Sequence, residues 1–114
     1  MRADGKIDYC EFAGQDIPAM KRFYGEAFGW GFTDYGPSYV AFEGAGLDGG
    51  ISAEPESAGK PPLVVLYATD ITAMFAKVKA AGGVITREIF SFPGGRRFQF
   101  RDPSGNELAV WAKT

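Results

Sequence analysis

The sequence has no histidine and only one cysteine, Cys10, among its 114 residues. The absence of histidine removes imidazole as a metal ligand, as a general base near neutral pH and as the partner of a Ser or Cys nucleophile. A single cysteine excludes a disulfide framework within the chain and a thiolate metal cluster. Composition alone therefore argues against most of the common enzyme mechanisms.

Long apolar runs and blocks of like charge are also missing. No apolar stretch approaches the roughly 20 residues that a membrane-spanning helix needs, and the N-terminal MRADGKIDY has no apolar signal segment. The net charge of −2 comes from interspersed residues of both signs, which leaves no basic footprint for nucleic acid or for a membrane surface. We therefore expect a cytoplasmic protein with neither of these partners.

An internal repeat organises the chain. DIPAM at Asp16–Met20 recurs 54 residues later as DITAM at Asp70–Met74. Apolar residues follow both motifs at intervals of three and four, a pattern typical of a helix with one buried face. The two aspartates stand where a helix N-cap is expected, because a carboxylate accepts hydrogen bonds from the free N–H groups of the first turn. Both motifs thus predict the start of a helix.

Strand-like runs surround both predicted helices. One run precedes each helix, KIDYCEF at 6–12 and LVVLYA at 63–68, and three further runs follow each. The third run of the first half is the glycine-rich GAGLDGGIS. Each half therefore reads β-α-β-β-β, with a first module at about 6–53, a linker at about 54–62 and a second module at about 63–113. The glycines of GAGLDGGIS and FPGGRR are interpreted as turns and a mobile lip, because neither has the sequence ending of a phosphate loop.

Two small sheets that each have one face covered by a helix leave two uncovered faces. Packing these faces together around a shared cleft buries both of them. We therefore predict an α+β fold in which two tandem β-α-β-β-β modules form a cup-shaped, partly open mixed sheet with the helices outside. The repeat is consistent both with pairing of the modules within one chain and with pairing across a dimer.

Three segments, in this order and together with the repeat, resemble the vicinal oxygen chelate superfamily. They are FYGEAFGW at 23–30, LYATDITAMFAKVKAAGG at 66–83 and RDPSGNELAVW at 101–111. This is the superfamily of glyoxalase I, the extradiol dioxygenases and the bleomycin resistance proteins, and the resemblance is greatest to small proteins related to lactoylglutathione lyase. It covers nearly the whole chain and implies a cup of paired modules, often assembled as a homodimer, with metal ligands on the strands that line the cup.

The resemblance also locates metal-ligand positions of the metal-dependent members. A His on the first strand falls on Tyr9, a His on the first strand of the second module falls near Leu63, and a Glu on the last strand falls on Ala109. None of these side chains is a usual ligand of a divalent cation, which needs several N, O or S donors at about 2 Å. The remaining first-module ligand would lie in GLDGGIS. The sequence therefore predicts no metal and no other cofactor.

A metal site formed by carboxylates is an open alternative. Glu11, Glu43 and Glu107 could approach one another and replace the missing ligands. No spacing in the sequence requires them to do so.

Strand alternation assigns side chains to the two faces of each sheet. On the first strand, Tyr9 and Glu11 share the cup face, while Asp8, Cys10 and Phe12 share the face covered by the helix. Cys10 is therefore predicted to be a buried, inert thiol. The same reasoning predicts that polar and aromatic side chains line the cup and bind a ligand there: Tyr9, Tyr39, Tyr67, Arg97, Gln99, Glu107 and Trp111.

Each of these assignments has a structural alternative. The Tyr9 hydroxyl either binds a ligand or is satisfied by a neighbour while the ring fills space. Arg97 either holds a ligand carboxylate or phosphate in two hydrogen bonds or neutralises Glu11 or Glu107. Core packing requires the same aromatic residue types as a ligand site does.

Glu11 is the candidate general base, because a carboxylate on a partly apolar wall can accept a proton near working pH. The structural alternative, which the sequence favours over the base, is that Glu11 pairs with Arg97 or is a charge at a solvated rim or dimer seam. Three functions follow. The first is a metal-free small-molecule-binding protein for an aromatic or carbonyl-containing ligand. The second is a cofactor-free isomerase or lyase, with Glu11 as base and Tyr9 or Arg97 stabilising an enolate. The missing ligands argue against the third, a metal-dependent lyase or dioxygenase.

Overall fold

The protein is described by a computed structural model that covers residues 2–114. Its elements follow the predicted order, and the α+β class is confirmed. In chain order they are β1 (Ile7–Ala13), α1 (Ile17–Phe28), β2 (Gly31–Asp34), β3 (Tyr39–Glu43), β4 (Gly49–Ser52), a 3-10 turn (Pro55–Ser57), β5 (Leu63–Tyr67), α2 (Ile71–Ala80), β6 (Val84–Phe92), β7 (Gly95–Arg101) and β8 (Glu107–Ala112). Within residues 2–114, neither helix has the length and apolar character needed to cross a membrane.

The chain divides into two compact units. One contains residues 9–62, and the other combines residues 63–114 with the N-terminal segment up to Asp8. Backbone hydrogen bonds attach this segment to β5: the Gly5 N–H donates to the Tyr67 carbonyl at 2.8 Å, and the Tyr67 N–H donates to the Lys6 carbonyl at 3.1 Å. Residues 2–8 thus pack with the second module.

The first module has the strand order β2-β3-β4-β1, in which only the β4–β1 pair is parallel. Its core contains Val40, Phe42 and Ile51. Helix α1 begins as predicted, because the Asp16 carboxylate accepts a hydrogen bond from the Ala19 N–H at 3.1 Å.

The second module has the strand order β5-β8-β7-β6, in which only the β5–β8 pair is parallel. Helix α2 repeats the N-cap of α1, with Asp70 accepting from the Ala73 N–H at 3.1 Å. Ile71, at its start, is fully buried against a core that includes Phe98 and Val110. Both of these strand residues therefore face the helix.

Three glycines that were interpreted as turns lie instead in strands. Gly49 and Gly50 are buried in β4, and Gly95 opens β7. A Cβ at position 49 would overlap the backbone carbonyl of Cys10, and a Cβ at position 95 would overlap that of Ala112. The strand signal in GAGLDGGIS is thus confirmed by β4, but the interpretation of these glycines as turns is wrong, because they serve close approach between strands rather than chain reversal.

Candidate ligand-binding face

One face of the second-module sheet carries two rows of side chains in register across β5, β8, β7 and β6. Directly paired residues of neighbouring strands point to the same side of a sheet. We call this surface the arginine-aromatic face. Its first row is Tyr67, Trp111, Arg97 and Phe90, and its second row is Val65, Ala109, Gln99 and Arg87.

Trp111 is the centre of the aromatic part of this face. Its ring contacts Tyr67 edge-on at 5.4 Å and Phe92 at 6.4 Å, measured between centroids. Its indole N–H donates to Asp8 Oδ2 at 2.9 Å, and the guanidinium of Arg2 lies 5.2 Å from the ring centroid. The N-terminal segment therefore provides the hydrogen-bond acceptor for the indole N–H. The Trp111 side chain itself is half-buried.

Asp8 departs from its predicted position. Alternation placed it with Cys10 and Phe12 on the helix side of β1, and Phe12 does pack against Phe42 with centroids 5.5 Å apart. The Asp8 carboxylate instead accepts from Trp111, and it also lies 3.4 Å from Arg2 Nε. The reason is that Asp8 belongs to the segment that packs with the second module, where a half-buried indole N–H requires an acceptor.

A chain of hydrogen bonds joins the charged groups of β7 and β8. Arg97 Nη2 donates to Gln99 Oε1 at 3.1 Å, and Gln99 Nε2 donates to Glu107 Oε2 at 3.2 Å. The Thr86 hydroxyl donates to the same carboxylate oxygen at 2.7 Å. Since Gln99 is only 8% exposed, its amide is a fixed bridge between the guanidinium and the carboxylate.

Arg87 is a residue of this face that the sequence analysis missed. The register of β6 on β7 shifts between Ile85 and Arg87 and again between Arg87 and Phe90. This irregularity brings Arg87 and Phe90, three residues apart, to the same side, although regular alternation would put them on opposite sides. The Arg87 guanidinium lies 3.8 Å from the centroid of the Phe90 ring. The sequence signal was a cation and an aromatic at this spacing, which has meaning only once the pairing with β7 is known.

The first module carries a different arrangement, which we call the tyrosine pair. The hydroxyls of Tyr9 and Tyr39 are hydrogen-bonded to each other. Tyr39 reaches Tyr9 by lying over Gly50, where a Cβ would overlap its hydroxyl and ring. Gly50 is also the register partner of Glu11 on β1. The carboxylate proposed as a base thus lies in the row next to two phenols.

Cys10 fits the prediction of an inert thiol. It is partly buried. Burial raises the pKa of the Cys10 thiol, and the negative charge of Glu11 raises it further. The reactive thiolate is therefore disfavoured at neutral pH.

The side chains at the three metal-ligand positions do not fit a metal ion. Ala109 is a fully buried methyl group, Leu63 is a hydrocarbon, and the Tyr9 phenol is hydrogen-bonded to Tyr39. In the described part of the chain, no three acidic or cysteine side chains are grouped so that they could hold a metal ion. The donor set thus lacks the converging N, O or S atoms that a divalent cation requires.

The predicted ligand-binding residues fall into two groups, one in each module. The first-module group is the tyrosine pair, with Glu11 in the adjacent row. The second-module group consists of residues on or bonded to the arginine-aromatic face: Tyr67, Arg97, Gln99, Glu107 and Trp111.

Similar proteins were found at the level of both sequence and fold. A family model described as the Glyoxalase/Bleomycin resistance protein/Dioxygenase superfamily matches residues 6–110. The chain is 30% identical over 119 residues to "Putative glyoxylase CFP32" of Mycobacterium bovis and of Mycobacterium tuberculosis. The alignment covers 94% of this chain and 45% of the relative, so the chain spans about half the length of the curated relatives it matches.

Two solved structures illustrate the likeness of fold. Methylmalonyl-CoA epimerase from Mycobacterium tuberculosis superposes with a TM-score of 0.74 at 12% identity, covering 99% of this chain and 91% of the epimerase. The Mn(II)-bound glyoxalase from Novosphingobium aromaticivorans gives a TM-score of 0.69 at 21% identity, covering 99% of this chain and 40% of that one. At such identities the likeness concerns the fold alone.

Proposed function

The chain belongs to the Glyoxalase/Bleomycin resistance protein/Dioxygenase superfamily, and we propose that it is a metal-free protein that binds a small molecule on the arginine-aromatic face. The observation that carries the proposal is the row in which Trp111 lies between Tyr67 and Arg97. An aromatic surface next to a few fixed polar groups is the usual composition of a small-molecule site.

The chemistry of this row favours an aromatic or carbonyl-containing ligand. A flat ring packs against the Trp111 and Tyr67 rings in edge-on or offset geometry. A carbonyl oxygen accepts hydrogen bonds from the guanidinium of Arg97, whose orientation is fixed through Gln99. The proposal requires no covalent step, in agreement with the side chains at the three metal-ligand positions.

The second candidate is a cofactor-free isomerase or lyase with Glu11 as its base. The tyrosine pair favours it, because phenol hydroxyls beside a carboxylate can stabilise an oxyanion formed by proton removal. A metal-dependent lyase or dioxygenase is disfavoured by the donor set. A homodimer and a cytoplasmic location stay predictions.

A fluorescence titration tests the binding function. The chain has two tryptophans, so a Trp30→Phe background isolates the emission of Trp111. We expect 2-acetylnaphthalene to quench this emission saturably. Calorimetry should then show that Trp111→Leu weakens binding by about tenfold, the cost of losing one aromatic contact of this size. Phe28→Leu, which changes an exposed aromatic of α1, is the matched control. No saturable binding, or equal binding by the Trp111 variant, would contradict the proposal.

The enzyme candidate is tested with the same ligands. Proton exchange at the carbon next to the carbonyl is followed by NMR in D₂O with wild type and Glu11→Gln. Exchange that requires Glu11, in a variant that still binds the ligand, would favour the isomerase or lyase over simple binding.

A further inference from the structure

The N-terminal segment brings a cation onto the ring of Trp111. The Arg2 guanidinium lies over this ring, 5.2 Å from its centroid, and Arg2 Nε lies 3.4 Å from Asp8 Oδ2. The same Asp8 oxygen accepts a hydrogen bond from the indole N–H at 2.9 Å. One carboxylate oxygen therefore contacts both the indole and the guanidinium, and it holds the two together.

The part of the segment that follows Arg2 is attached to the second module by other bonds. The Gly5 N–H donates to the Tyr67 carbonyl at 2.8 Å, and the Asp4 carboxylate accepts from the Thr69 N–H. Neither bond involves the Arg2 side chain. This side chain can therefore leave the ring while the rest of the segment stays in place.

Two aromatic contacts of the Trp111 ring come from the sheet itself. Tyr67 lies edge-on to it at 5.4 Å, and Phe92 lies tilted to it at 6.4 Å. These two side chains project from β5 and β6, whose positions are fixed by strand pairing. Arg2 differs from them, because it has a long side chain that is 32% exposed and does not belong to a strand. A ligand ring thus displaces Arg2 with less change to the structure than it would need to displace Tyr67 or Phe92.

We infer that Arg2 covers the ring face of Trp111 on which the ligand binds, so that ligand binding displaces Arg2. The inference rests on the proposed binding function and adds to it a residue that regulates access to the site. A cation over a ring and an ion pair are both weak contacts when they are partly exposed. A flat aromatic ligand removes more apolar surface from water and therefore replaces the guanidinium. Because the contacts of Arg2 must first be broken, the covered ring binds the ligand less tightly than an uncovered ring would.

The cover is tested first without a ligand. In the Trp30→Phe background, quenching by acrylamide measures the accessibility of Trp111, the remaining tryptophan. Arg2→Ala should raise the quenching constant, because the ring face becomes open to the quencher. Lys6→Gln is the matched control, since it removes an exposed positive charge from the same segment, and it should leave the constant unchanged.

The competition is tested by calorimetry with 2-acetylnaphthalene. Arg2→Ala should bind this probe about two- to fivefold more tightly than wild type does, which corresponds to the usual strength of one exposed cation–ring contact. Asp8→Asn keeps an acceptor for the indole N–H but removes the charge that attracts Arg2, and its affinity should rise by a smaller factor. Lys6→Gln should bind as wild type does.

Salt provides an independent measurement of the same competition. Added salt screens the attraction between Arg2 and Asp8, so it should tighten the binding of 2-acetylnaphthalene to wild type more than to Arg2→Ala. An equal salt dependence of the two proteins would contradict the displacement of Arg2.

The outcomes distinguish this inference from the function on which it rests. If Arg2→Ala binds 2-acetylnaphthalene equally or less tightly than wild type does, the displacement is wrong while the binding function stands. If its affinity rises but acrylamide quenching does not, the effect does not arise at the ring, and the inference is again overturned. If neither wild type nor Arg2→Ala binds the probe, the proposed function itself fails.

Discussion

In the first module two tyrosine hydroxyls are hydrogen-bonded to each other, whereas the second module presents arginines among aromatic rings. Gly50 makes room for the tyrosine pair, and the register shifts of β6 bring Arg87 to the arginine-aromatic face. Both modules nevertheless keep the same order of elements and the same aspartate N-cap. The repeat thus specifies the framework, while the sheet positions on the side away from the helices have diverged.

The helix sides of the two modules differ as well. In the first, Tyr24 stacks on Trp30 at 4.6 Å, and Trp30 contacts Phe42 at 4.8 Å. In the second, Phe98 contacts Phe75 edge-on at 5.1 Å and Phe100 at 6.2 Å, and the other core side chains are aliphatic. The same helical spacing thus supports an aromatic core and a mainly aliphatic one.

The largest predicted effect concerns Gly49 and Gly95, at which neighbouring strands approach each other closely. We expect Gly49→Ala and Gly95→Ala each to destabilise the protein by about 2–3 kcal/mol, because the added methyl group overlaps a backbone carbonyl that cannot move aside. Urea unfolding measures the loss. Gly31→Ala is the control, since its nearest contact would be an ordinary 3.7 Å, and we expect a change within about 0.5 kcal/mol. Equal effects at all three positions would contradict the packing explanation.

The two helix caps offer a test of smaller effect. Asp16→Ala and Asp70→Ala should each lower the free energy of unfolding by about 1 kcal/mol, the usual cost of losing an N-cap acceptor. Asparagine at either position keeps an acceptor oxygen and should restore most of the loss. Clearly unequal losses would show that the repeated motif no longer has the same structural role in both modules.

Acid should affect the second module through two aspartates. The Asn106 side chain lowers the pKa of Asp102, and the Thr69 N–H lowers that of Asp4, both from the ordinary value of 3.8. Because the folded-state pKa values are depressed, their stabilising effect is present above pH 3.8 and is lost as the pH falls through them. The stability gap between wild type and the Asp4→Asn, Asp102→Asn variant should therefore shrink between pH 5 and pH 2.

The control for the acid experiment is Glu26→Gln, which removes one exposed charge from α1. Unfolding by urea at each pH provides the stability values. A gap that stays constant over the whole range would mean that these hydrogen bonds do not favour the ionised aspartates.

The smallest predicted effect concerns Cys10 in the first module. Because burial and Glu11 both raise the pKa of its thiol, alkylation by iodoacetamide at pH 8 should be slower than that of a free thiol. Glu11→Gln removes the lesser cause and should increase the rate by roughly two- to threefold. An unchanged rate would show that Glu11 does not influence the thiol.

The framework was predictable from the sequence because its signals are local. Asp16 and Asp70 mark helix starts within one turn, and alternation correctly placed Phe12 on the helix side of β1. The errors arose where a partner distant in sequence decides the conformation. Asp8 takes its position from Trp111, which lies over a hundred residues away.

The sequence by itself determined the α+β framework of two β-α-β-β-β modules, because helix caps and strand alternation depend on residue types and short-range spacing. That Tyr9, Leu63 and Ala109 stand at metal-ligand positions is implied by the family resemblance. Only the tertiary structure decided that Gly50 accommodates the tyrosine pair and that Arg87 shares a face with Phe90. Strand register and the close approach of backbones arise from pairing between distant segments, and no local pattern encodes them.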